Sequence, residues 1–172
     1  ELYLKVNKEE TVVSYVKAVT YLGYSFYMSK GKCQLTVHPK SKAKMKAKLK
    51  ELTSRSNGMG YAKRKQKLEE YIRGWVGYFH LANMKRLLMD TDSWLRRRIR
   101  MCIWKAWKLP KTRIKNLIRC GINEYDARRW GYVKGYWKVS GSPIMQRAAS
   151  SQKLHDAGYE TLMGSYLEWH PK

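Results

Sequence analysis

Acidic side chains are what this chain most lacks. Thirteen Asp and Glu stand against 36 Lys and Arg, a formal net charge of +23 over 172 residues. Two-metal phosphoryl transfer needs several carboxylates, and a chain so poor in them is an unpromising host for it. A charge this one-sided repels itself and calls for a polyanionic partner. Cysteine is scarce too: Cys33, Cys102 and Cys120 are odd in number and show no paired spacing. That argues against a disulfide framework and fits a reducing compartment. No CxxC or HExxH occurs, and His38, His80, His155 and His170 are scattered, so metal binding has weak support. Glycine-rich phosphate loops of the Walker type are missing, and no Ser-His-Asp or Cys-His order can be read. There is no signal sequence and no apolar run long enough to span a bilayer, which favours nucleic acid over membrane as the polyanion. On residues alone the chain is a binding module, not a complete enzyme. It opens on Glu1, without methionine and in mid-pattern, as a piece of something longer would.

What is present is a core and a basic helix. A hydrophobic share of 44% suits one compact domain, or two small ones sharing an interface. The chain is organised around Trp94 to Gly121, which contains no acidic residue. At about 100° per residue, Leu95, Ile99, Cys102, Ile103 and Ala106 form an apolar stripe that Leu88 extends. The other face interleaves Arg96, Arg97, Arg100 and Lys108 with Trp104 and Trp107. Charge and flat aromatic surface together suit a polymer of phosphates and bases. Two readings stay open for the tryptophans: contact with that polymer, or packing under a later segment.

Along the chain, Leu2 to Val6, Ala18 to Met28 and Cys33 to His38 read as strands, with a turn at Ser29–Lys32. Lys40, Lys42, Lys44, Lys46, Lys48 and Lys50 fall on every second residue, a strand's period. Their neighbours are nevertheless helix formers, and Met45, Leu49 and Leu52 fall on one helical face, so a helix is predicted. It could lay lysine along a phosphate backbone or present a plain solvated face. Another helix is predicted over about Ala62 to Ala82, with Leu68, Tyr71, Ile72, Trp75, Phe79 and Ala82 inward. Gly74 and Gly77 inside it imply the close approach of another backbone, and His80 reads as a core histidine. Asp90-Thr91-Asp92 is expected to cap the Trp94 helix rather than bind metal. Thr112 is expected to cap the next helix and Gly121 to close it. Asn123 with Asp126 starts another, Gly131 to Gly141 reads as irregular, and Ser142-Pro143 opens the last short helices. The fold class is mainly α with a small antiparallel β-hairpin or sheet at the N-terminus (α+β).

Several segments together resemble one known family: LYLKVNKEET, YLGYSFY, YIRGWVGYF, SWLRRRIRMCIWKAWKLPKTRIKNLIRCGI and GYWKVSGSPIMQRA. The chain is similar over nearly its whole length to the C-terminal part of bacterial group II intron-encoded reverse transcriptase/maturases. The RGW-x-x-YF and WLRRRIR-x-x-x-WK-x-WK segments are its specific marks. The resemblance implies three parts: 1–38, the end of the reverse-transcriptase palm; 39–108, the helical thumb or maturase-specific X domain; and 109–172, a C-terminal maturase and DNA-binding-like region. In this reading Tyr21-Leu22-Gly23-Tyr24 matches the last palm motif near the primer. The catalytic Tyr-Ala-Asp-Asp motif is not in the chain, so it is not expected to polymerise alone. Mg2+ is expected for the full reverse transcriptase and the ribozyme, and no cofactor for the chain itself.

The same resemblance implies binding of group II intron RNA and help with its splicing, and in the full protein a grip on primer–template and target DNA. Such a protein would be bacterial, cytoplasmic and associated with nucleic acid. Backbone contacts are expected from Arg97, Arg98, Arg100, Lys105, Lys108, Lys111 and Arg113, with Lys42 and Lys46 in a second tier. Tyr136 and Trp137 are candidates to stack on unpaired bases, with burial against the Trp94 helix open for Trp137. Arg73 and Trp75 are assigned to the helix bundle instead. The alternative function is a non-specific basic binder of nucleic acid, including a DNA target, without maturase activity.

Overall fold

The computed structural model describes residues 14–170; the strand expected at Leu2 to Val6 lies outside them. A short 3-10 turn at Val16–Ala18 leads into a three-stranded antiparallel sheet in the order β1 (Thr20–Tyr21), β2 (Tyr24–Ser29), β3 (Lys32–Val37). The single strand expected from Ala18 to Met28 is two, folded back at Leu22-Gly23. Both turn residues have positive φ, 49° and 81°, the backbone of a tight hairpin whose twist matches that of its strands. Glycine is needed here on a second count, because a Cβ on Gly23 would stand 2.8 Å from the Ser41 hydroxyl. Lys30-Gly31 makes the second turn in the same way, where the sequence places it.

Nine α-helices follow among the described residues. Pro39 opens α1 (Pro39–Leu52), and the His38 ring accepts from the Lys40 amide at 3.2 Å. Met45, Leu49 and Leu52 are all buried, so helical burial wins over the every-second-residue lysine pattern. In α2 (Tyr61–Phe79), Leu68, Ile72, Val76 and Phe79 face inward. Among the described residues no other backbone approaches Gly74 or Gly77. The space beside Gly74 is open, and Gly77 makes room for the Trp169 indole at 3.5 Å. That indole in turn stacks on His80, ring centres 4.5 Å apart.

The long helix α3 runs unbroken from Lys85 to Ala106, so Asp90-Thr91-Asp92 does not cap its start. Thr91 bonds back to the Leu87 carbonyl within the helix. Asp92, 3% exposed, caps a different helix: its carboxylate accepts from the amides of Leu162 and Met163 at 2.9 and 3.0 Å. Those amides are the free donors at the start of α9 (Leu162–Glu168). Between them lie α4 (Pro110–Arg119), α5 (Glu124–Gly131), α6 (Tyr136–Ser140), α7 (Pro143–Ala148) and α8 (Ser151–Asp156). Leu109, not Thr112, stands at the α4 N-cap. Gly121, at φ 83°, ends α4 as the sequence suggests, and Asn123 and Ser142 cap α5 and α7. The stretch expected to be irregular contains α6.

Two cores form. One gathers Val37, the inner faces of α1 and α2, and Leu88, Leu95 and Ile99 of α3, with Leu154, Tyr159, Leu162 and Tyr166 returning from the C-terminal helices. The other surrounds Trp104 with Leu117, Ile122, Ala127, Val139, Ile144, Met145 and Ala148. Ile103 touches both. Helix α3 is thus the shared spine, and packing continues across the boundary drawn at residue 108 from resemblance.

Candidate nucleic-acid interface

The cations of α3 divide by what they meet. Thr53, just past the end of α1, is fully buried, and Arg98 closes on it. Its Nε donates to the Thr53 hydroxyl at 2.6 Å, and its terminal nitrogen to the carbonyls of Lys50 and Thr53 at 3.0 and 3.1 Å. Arg64 of α2 donates to the Leu52 carbonyl at 3.3 Å and to Asn57. The free carbonyls at the C-terminal end of α1 are therefore met by cations from α2 and α3, which also suits the negative end of a helix dipole.

The same device recurs. Arg100, 9% exposed, donates to the Ala149 carbonyl at the end of α7 at 2.8 Å. Arg113 donates to the Trp107 carbonyl after α3 and the Gly131 carbonyl ending α5, and lies over the Trp104 ring. Lys65 meets the Ala157 carbonyl after α8, and Lys153 the Cys120 carbonyl after α4. Burial holds the guanidinium pKa of Arg98 and Arg100 below its ordinary value. Three arginines that the sequence offers as RNA contacts (Arg98, Arg100 and Arg113) thus have helix-capping work inside the protein. Trp104 is fully buried and Trp107 partly so, both around the second core, which settles those tryptophans in favour of packing.

Two other arginines lie over aromatic rings of α6. Trp137 is 42% exposed, and the Arg97 guanidinium lies over its ring at 4.0 Å while donating to its carbonyl at 3.2 Å. Gly141 permits this: a Cβ there would stand 2.8 Å from the guanidinium carbon. Next to it, Arg55 covers the half-buried Tyr136 ring at 4.8 Å. Arg55 also lines a cleft of about 390 Å3 between the α1–α2 loop and the end of α3, with Arg64, Lys105 and Lys108. Among the described residues no carboxylate lines that cleft. Lys42, Lys46 and Lys50 recur every four residues and so follow one face of α1, whose far end Arg98 ties to α3. Lys111 is exposed on α4, apart from the cleft lining.

Of the residues expected from sequence, Lys105 and Lys108 line this cleft, while Arg97 with Trp137, and Tyr136 under Arg55, form the arginine–ring pairs; Arg55 is not among those expected. That residue sits in a polar loop between two helices, where no periodicity marks it. The residues lining the cleft form no group for metal: His, Asp and Glu are missing from it and Cys102 is alone. The Cys102 thiol is buried, donates to the Thr53 carbonyl, and has its pKa raised by burial.

Residues 42–121 match the family model of the group II intron, maturase-specific domain. Over this segment the chain is similar to a maturase-specific domain. The segment runs from α1 to Gly121, the glycine that closes α4, and it includes every residue lining the basic cleft. Tyr136 and Trp137 lie beyond it, carried back against the domain's long helix by α6. No curated protein matches the chain. Among the described residues no helix is long and apolar enough to cross a membrane.

Proposed function

We propose that the chain binds the folded RNA of a group II intron and holds it in a splicing-competent form, while the RNA performs the chemistry. The observation that carries this reading is the cleft within the segment that matches the maturase-specific domain, whose lining among the described residues includes Arg55, Lys105 and Lys108 and no carboxylate. Cations with no carboxylate in the cleft lining release counterions when they meet phosphates, and the exposed Trp137 offers a stacking surface for an unpaired base. Lys42 and Lys46 extend the cationic track, with Lys111 as an outlying contact. Arg98, Arg100 and Arg113 contribute by shaping this surface, through the helix ends they cap.

The test is RNA binding across a salt series with the variant R55A/K105A/K108A. Each lost phosphate contact lowers the slope of log affinity against log salt by about 0.7 to 0.9, so a drop of roughly two is expected. An unchanged slope in the folded variant refutes the assignment. The net charge of +23 also supports the second reading, a non-specific binder of nucleic acid. Equal affinity for intron RNA, unrelated RNA, primer–template and duplex DNA at matched salt would decide for that reading.

A further inference from the structure

A second cavity, of about 550 Å3, opens where the two cores meet, between the start of α2, the end of α3 and α8. Its walls are apolar and aromatic: Tyr61, Trp107, Tyr159 and Ile103. Burial pushes the Tyr159 phenol up to about 12 and raises that of Tyr61, so both stay neutral. The cations on its lining are Lys65, Lys153 and Arg119, and no carboxylate is among the lining residues. Lys65 is held by the Ala157 carbonyl at 2.8 Å, and Lys153 by those of Cys120 and Arg147 at 2.7 and 3.3 Å. An ammonium has three donors, so both lysines are pinned with hydrogen-bonding capacity left over.

An apolar, aromatic recess with fixed positive charge beside it fits a ligand with a flat ring at one end and an anion at the other. We propose that this cavity takes an unstacked base from a single-stranded stretch of the bound RNA, with the adjoining phosphate against Arg119 and the two lysines. The inference rests on the RNA-binding reading above and adds to it a base-accepting site that shares only Tyr61 with the cleft lining.

The experiment uses the chain with a short single-stranded RNA carrying 2-aminopurine at its centre, read by anisotropy for binding and by fluorescence for stacking. Binding should quench the probe strongly against Trp107. In A157F, where a ring fills the rim at the exposed Ala157, quenching should be lost and affinity should fall about fivefold, the order expected for one stacked base. The salt slope should change little there, because no cation is removed. The surface variant R119A, which leaves the cavity open, should keep the quenching and lower the salt slope by about 0.7. If bound probe is unquenched, or is quenched equally in A157F with R119A showing the wild-type slope, the cavity site is overturned and the RNA-binding reading stands. If the RNA fails to bind at low salt, both fall.

Discussion

Arg98 separates capping from ligand contact most cleanly. Removing its side chain in R98A deletes three hydrogen bonds, one to the Thr53 hydroxyl and two to the carbonyls of Lys50 and Thr53. Bonds from a charged donor are each worth roughly 1.5–3 kcal/mol when buried, but Arg98 is partly open to water, which halves or more such contributions. The Thr53 acceptors are buried and would be left without this donor. A loss of about 2–4 kcal/mol is expected, and for a chain of this length that lowers the melting temperature by roughly 5–15 °C. Lysine in R98K has the charge but no fork, so it should recover about one bond of the three. Thermal unfolding followed by circular dichroism measures both variants, and RNA affinity is compared well below the transitions. A melting point within about 2 °C of wild type, coupled to a tenfold loss of RNA affinity, would show that Arg98 serves the RNA and not the end of α1.

Two further substitutions probe the frame. D92A strips the two free amides at the start of α9 of their acceptor and should cost about 1–2 kcal/mol, read by urea unfolding. Burial raises the Asp92 carboxyl above 3.8 despite its two backbone donors, so the native state holds that proton to higher pH than the unfolded chain. The associated stability is present at low pH and lost as pH rises through the folded value. Wild type should therefore lose stability relative to D92N as pH rises through that range, and the gap should stop changing once the carboxyl is ionised; wild type gaining on D92N as pH rises would contradict this. G131A puts a Cβ 2.5 Å from the Ile114 side chain and should loosen the α4–α5 contact by about 1–3 kcal/mol. Unchanged thermal unfolding would mean that Ile114 yields freely.

Much of the fold was legible because local chemistry and burial agreed. Met45, Leu49 and Leu52 announced α1 through a misleading lysine alternation, and Gly121, Asn123 and Ser142-Pro143 marked helix ends where they occur. The failures share a physical cause. Asp92 and Thr112 carry the chemistry of caps, but a cap is recognised only by which amides lie near it, and for Asp92 those amides are some 70 residues away. Arginines on one helix face look alike in sequence, yet Arg97 lies outward on Trp137, whereas Arg98 and Arg100 find carbonyls contributed by α1 and α7. Trp104 and Trp137 show the same limit: an indole that covers a core and one that stays half exposed differ only in what the rest of the chain brings against them.

The capping of helix ends by Arg64, Arg98, Arg100, Arg113, Lys65 and Lys153 has a consequence for how this molecule lives with its charge. Dipoles steady these cations without cancelling them, so the free protein remains its own electrostatic burden. Added electrolyte should shield that self-repulsion while barely touching the short, enclosed bonds, and so raise the melting temperature under the conditions that loosen RNA. Dilute buffer does the reverse. A polyanion bound as proposed would act as a counterweight, and the chain should be at its sturdiest when loaded.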